Sequence, residues 1–153
     1  MSGVEKVKKW IEENGLDWKI HMLQSQVKTV AQAASALGVP KSVIVKTIVL
    51  VDDSRTIACI IPGDKRLSLE KVKSITGGSP RLAKPDEVLE RTGYRIGGVP
   101  PYPLPGDVVI IMDERVLDNE KVYGGGGDER SLLEFSPREL LSIARVLVAD
   151  IVS

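Results

Sequence analysis

The sequence predicts an α+β domain in which a curved, mixed β-sheet is partly wrapped by helices. Two observations predict it. Helical and strand patterns alternate along the chain without the regular rhythm of a βαβ array. No internal repeat and no linker divides the 153 residues. That length suits one domain, large enough to bury a core without disulfides or metals.

Composition narrows the class further. With 42% hydrophobic residues and 27% charged, the chain is neither disordered nor fibrous. No apolar run reaches the ~18–20 residues that cross a bilayer. The start, Met1 to Lys6, leads into a charged amphipathic segment, so neither a secretory signal nor a transit peptide is expected, and the expected location is cytoplasmic. Cys59 is the one cysteine and His21 the one histidine, which excludes an internal disulfide and argues against a zinc site. The formal charge is zero overall, but residues 1–73 carry a net +4 and residues 74–153 a net −4. Neutrality argues against a nonspecific coat for nucleic acid, though not against a local basic face.

The elements follow in order. Val4, Val7, Trp10 and Ile11 recur at helical spacing, with Gly15 as the stop. Trp18 to Leu23 reads as a short strand. Thr29 caps a helix of alanines and Leu37, ended by Gly38 and Pro40. Val43 to Val51 is a strand rich in β-branched residues. Asp52 to Arg55 turns the chain, and Thr56 to Pro62 returns as a strand. Ser68 caps a helix to about Ile75, stopped by Gly77 and Gly78. Pro85 opens another, ended by Gly93. The loop from Gly97 to Gly106 holds four prolines and three glycines and cannot form a regular ladder. Val108 to Met112 is a strand. Lys121 to Tyr123 and Ser131 to Phe135 flank four glycines as a hairpin. A last helix has Ser136 as cap, Pro137 in the first position and Glu139 completing a capping box. Its buried stripe is Leu140, Leu141, Ala144, Leu147 and Val148.

Lys46 stands out among the candidates for chemistry. Alternation places it on one strand face with Ile44, Ile48 and Leu50, while Val45, Thr47 and Val49 fill the other. A strand apolar on both faces is normally covered on both. An unpaired buried ammonium is costly, so Lys46 must meet a carboxylate, snorkel outward or open into a cleft. In a cleft it would suit a phosphate or a polarised carbonyl. The loop at Gly97 to Pro101 either connects elements or aims N–H groups at an ester carbonyl. The Gly124 to Gly127 run is a hairpin tip or an anion-binding nest; Asp128, Glu129 and Arg130 follow it, so it is not a Walker loop. The basic stretch with Lys65, Arg66, Lys71 and Lys73 is a solvated helix face or a local basic face for nucleic acid. Cys59 reads as a core thiol and His21 as structural or pocket-lining. No Ser or Cys occupies a nucleophile elbow.

Three motifs coincide: Thr29-Val30-Ala31-Gln32-Ala33-Ala34 with Leu37-Gly38-Val39, then Ile44-Val45-Lys46-Thr47, then Gly93 through Pro101. In this order and spacing the sequence resembles the YbaK family of aminoacyl-tRNA deacylases, related to the editing insertion of bacterial prolyl-tRNA synthetase. The resemblance runs from about Trp18 to the final helix. It implies a partly closed, barrel-like sheet and a single editing domain over residues 1–153. It further implies a freestanding enzyme that hydrolyses the ester of misacylated tRNA, with Cys- or Ala-tRNA(Pro) as the usual substrates. Such a second sieve has a physical rationale, because a synthetase pocket separates similar small side chains by only ~1–3 kcal/mol.

The residue roles also come from the resemblance. Lys46 matches the functional lysine, holding the ester end or adjacent phosphate and stabilising negative charge. Gly98 and Val99 supply loop N–H groups toward the carbonyl; Gly97 and Pro100 belong to the same Gly-x-x-Pro-type loop, which Pro100 shapes without an N–H. Thr47 is adjacent, although an ideal strand sends it to the opposite face. Gly126 and Gly127 line the adenosine pocket. The attacking group is water, oriented by a ribose hydroxyl, or the thiol of a cysteinyl substrate. No metal and no cofactor are needed. The partner is the acceptor end of misacylated tRNA, with prolyl-tRNA synthetase as a further candidate, no membrane, and the oligomeric state open. The Gly124-Gly125 and Ile61-Pro62-Gly63-Asp64 segments depart from common members and leave the amino acid open. The alternatives are a noncatalytic tRNA- or nucleotide-binding module and a synthetase-associated partner.

Overall fold

In the computed structural model, which describes residues 1–153, two sheets meet beside Ile44, at the start of an eight-residue strand. The chain begins with α1 (Gly3–Glu13), where Ser2 Oγ accepts from Glu5 N–H and the Glu5 carboxylate accepts from Ser2 N–H in a capping box. Then come β1 (Lys19–Met22) and α2 (Val30–Leu37), which Thr29 caps and left-handed Gly38 ends. A 3₁₀ turn over Lys41–Val43 delays the next strand, so β2 runs Val45–Asp52. β3 (Arg55–Pro62) returns antiparallel, pairing Val45 with Pro62 through to Asp52 with Arg55.

The middle holds α3 (Leu69–Thr76), the two-residue strand β4 (Arg81–Leu82), and α4 (Pro85–Thr92). β4 is too short to leave a sequence pattern. β5 (Val108–Asp113) pairs parallel to β3, and a 3₁₀ turn covers Glu114–Asp118. The hairpin β6 (Val122–Gly125) and β7 (Ser131–Phe135) forms as expected. α5 (Pro137–Ile143) and β8 (Leu147–Ala149) close the chain.

The sheets have orders β1-β7-β6 and β4-β2-β3-β5-β8. The first is antiparallel; the second is mixed, as predicted. A parallel bridge between Ile44 and Tyr123 joins them, so the barrel-like closure is partial. The five-stranded sheet is covered on both faces. Val45, Val49, Ala58, Ile60 and Met112 join the larger core with Val7, Trp18, Val88 and Phe135. Leu50, Ile57, Cys59, Ile61 and Ile111 join a smaller one with Val72 of α3 and the terminal Ile151 and Val152. No helix is long and apolar enough to cross a membrane.

The C-terminal helix departs from expectation. It ends at Ile143, and Ala144 is already extended. Leu147 and Val148 are therefore not part of a buried helical stripe; they lie exposed on β8, hydrogen-bonded parallel to β5. Their β-branched and aliphatic neighbours suit either structure, and an open sheet edge decided the matter. Glu139 does not complete a capping box. Ser136 Oγ does accept from its N–H, but its carboxylate accepts from Trp18 Nε1, tying α5 to the segment before β1.

Candidate functional site

A cavity of about 240 Å³ opens where the two sheets meet. Its walls come from four places: the segment entering α2, the start of β2, the loop after Arg95, and the β6–β7 hairpin. Local bonds fix each wall. Val27 N–H donates to Glu129 O at 2.8 Å and Leu23 N–H to Arg130 O at 2.8 Å, pinning the α2 approach to the hairpin. Gly127 N–H donates to Gly98 O at 2.9 Å, pinning the hairpin to the loop. Close approach there requires glycine: a Cβ on Gly125 would stand 2.3 Å from Val99 O, and one on Gly98 would stand 2.6 Å from the Asp128 Cα.

Lys46 lines this cavity together with Gly97 and Val99, so the strand lysine and the proline-rich loop meet, as the family resemblance implies. Lys46 is half-buried and makes no ion pair within 4 Å. Of the three fates open to its ammonium, the cleft is the one realised. Thr47 lines the same cavity, and its Oγ1 is buried with no hydrogen-bond partner. Strand alternation separates the two side chains, but the cavity lies at the bend between the sheets and reaches both.

The loop differs in one respect from its predicted role. Gly98 N–H is spent on Arg95 O at 3.0 Å, and Gly98 does not line the cavity. The N–H groups of Gly97 and Val99 have no acceptor in the protein and belong to residues on the wall. They, rather than Gly98, are the donors available to a carbonyl. Gly97 has φ of +90°, a conformation that favours glycine. Pro100 is buried behind the loop and shapes it.

The hairpin glycines are likewise displaced by two residues. Gly124 and Gly125 line the cavity; Gly126 and Gly127 do not, and their N–H groups go to Ser131 O and Gly98 O. Among the basic residues, Lys65, Arg66 and Lys73 are exposed and outside the cavity. Lys71 is tied down: its Nζ donates to Asp150 Oδ2 at 2.8 Å and to Val152 O at 2.6 Å, holding the C-terminus on α3. It is not a free cation for a tRNA backbone.

Sequence reasoning missed two charged wall residues, Lys28 and Glu129, and the apolar side formed by Val27, Val30, Ala33, Ile44 and Leu132. The helix motif beginning at Thr29 was the available signal for the apolar side. Cys59 is wholly buried away from the cavity, and burial pushes its thiol up to about 12, so it is inert. His21 bonds Glu134 at 3.0 Å and packs on Tyr123, a structural role.

Known proteins share this fold. A model of the aminoacyl-tRNA editing domain matches residues 24–143. A solved structure of a hypothetical protein, APE2540, is 48% identical, with a TM-score of 0.91 over 97% of this chain and 99% of that one. A structure proposed as a trans-editing enzyme for prolyl tRNA synthetase is 33% identical, with a TM-score of 0.91 over 100% of this chain and 98% of that one. The proline–tRNA ligase of Acidithiobacillus ferrooxidans (strain ATCC 53993 / BNL-5-31) is 33% identical over 92 residues, which are 60% of this chain but 16% of the ligase. The match of that domain model over residues 24–143, most of the chain, places the protein in the aminoacyl-tRNA editing domain family.

Proposed function

We propose that the protein is a trans-editing deacylase that hydrolyses the ester joining a wrong amino acid to tRNA, with Cys- or Ala-tRNA(Pro) as substrate. The observation that carries the reading is the unpaired Lys46 in the same cavity as the free N–H groups of Gly97 and Val99. A cation and two preoriented donors around one space suit the negative charge that develops on an ester carbonyl under attack. An aminoacyl ester is already activated, so positioning can supply much of the rate, and the chain needs no nucleophile of its own. Water attacks the carbonyl carbon, the ester C–O bond breaks, and the terminal ribose hydroxyl leaves with a proton. The apolar wall of Val27, Val30, Ala33 and Leu132 suits a small side chain. Likeness to a ligase for proline supports tRNA(Pro), and the exposed Lys65, Arg66 and Lys73 remain candidate contacts to it. In this reading the protein works in the cytoplasm, where charged tRNA is found.

The test is a deacylation panel of Ala-, Cys-, Ser- and Pro-charged tRNA(Pro) beside correctly charged cognates. Lys46→Ala is expected to fold normally and to lose hydrolysis at least 100-fold. Undiminished hydrolysis by that variant overturns the mechanism. Binding of tRNA without cleavage of any ester would favour a noncatalytic module.

A further inference from the structure

Glu129 is the one carboxylate on the cavity wall, facing a space whose other charged residues are Lys28 and Lys46. Three observations make it more than a solvated loop residue. Its main chain is fixed, because its carbonyl accepts from Val27 N–H at 2.8 Å. Its side chain lies on the proline-rich loop: Cγ stands 3.5 Å, and Oε1 4.0 Å, from where a Cβ on Gly97 would be. A Cβ at position 97 would meet it in ordinary van der Waals contact. And it is unspent. Neither carboxylate oxygen has a hydrogen-bond partner, and no Lys or Arg lies within 4 Å, although both wall lysines share the cavity.

The cavity thus holds separated, unneutralised charges of both signs beside two free N–H donors. A ligand that satisfies them carries a cation at one end and an anion or polarised oxygen at the other. The aminoacyl end of tRNA has this pattern, with an α-ammonium on one side of the ester and a phosphate on the other. We propose that Glu129 binds the α-ammonium of the aminoacyl group and so sets the ester carbonyl against the Gly97 and Val99 N–H groups. The assignment rests on the deacylase reading for its substrate. Of the other polar side chains on the wall, Thr29 and Ser131 are already spent. Thr29 Oγ1 accepts from Gln32 N–H, and Ser131 Oγ is bonded to Asp128. A charge-assisted bond at this point makes the free amine a requirement, so peptidyl or formylated esters are refused.

The test uses two non-hydrolysable probes on the whole protein. One is adenosine 5′-phosphate carrying alanine through a 3′-amide. The other carries lactate in the same linkage, with a hydroxyl in place of the ammonium. Titration calorimetry is expected to show the alanyl probe binding at least tenfold more tightly. Glu129→Gln, which keeps the shape, is expected to bring the two within twofold while leaving the thermal midpoint unchanged. Hydrolysis of Ala-tRNA(Pro) by the same variant should fall at least tenfold. Equal binding of the two probes to the wild type, no binding of either, or discrimination kept in Glu129→Gln each overturns the assignment. So does lost hydrolysis with discrimination intact, which would make Glu129 a general base. If discrimination behaves as expected and no ester of any tRNA is cleaved, the amine site stands and the deacylase reading falls.

Discussion

At Gly125, a missing side chain matters as much as a present one. Val99 O approaches so closely that an added methyl would overlap it at 2.3 Å, and backbone on both sides leaves nothing flexible to yield. Gly125→Ala should therefore cost about 1–3 kcal/mol on urea unfolding and lower hydrolysis by displacing the Val99 N–H. Lys46 shows the complementary principle. A lysine at the second position of an apolar strand is tolerated because the cover over its face stops short and the residue lines a cavity. Thr47 keeps a buried hydroxyl without a partner, a cost that a substrate polar group would relieve.

Single elements show where local signals suffice. α2 is bounded by its own residues: Thr29 Oγ1 accepts from Gln32 N–H at 3.0 Å, and Gly38 takes the left-handed conformation at φ +68°. Eight residues make a marginal helix without such ends. Thr29→Ala should cost ~1 kcal/mol of stability, read from the denaturation midpoint. β2 was legible for the same kind of reason, since eight residues that are apolar on both faces have few other places to go. β8 was not. Nothing in Leu147 to Ala149 distinguishes a last helical turn from an edge strand, and only the free edge of β5 makes the second cheaper.

Across the whole molecule, acid–base pairs clip distant elements together. The Arg55 guanidinium holds the Asp52 carboxyl below its usual range and also donates to Thr76 O, tying the β2–β3 turn to α3. Arg81 holds Glu87 at about 2, joining β4 to α4. Lys71, with Arg115, holds Asp150 low and fastens the chain end. A lowered folded pKa gives stability that is present above the unfolded value and is lost as pH falls through the folded one. The thermal midpoint should therefore hold steady from neutral pH down to about 4.5 and fall progressively toward pH 2. A flat profile across that interval would show that these clips contribute nothing. The clip at the chain end was not legible in the sequence, because the Lys71–Asp150 pair spans 79 positions and the Arg115–Asp150 pair 35.

The pairing of Lys46 with the Gly97 loop was expected from the family resemblance, whereas most of the elements, caps such as Thr29 and Ser68, and the double-sided strand were determined by local sequence. They depend on side-chain shape, backbone freedom and periodicity within a few residues. Which N–H groups remain free, which glycines touch the cavity, and that Glu129 and Lys28 share it with Lys46 were decided only by tertiary structure. A donor is free or spent according to acceptors that other strands bring to it. Two charges share a cavity only when segments about 80 residues apart, near Lys46 and Glu129, fold against each other.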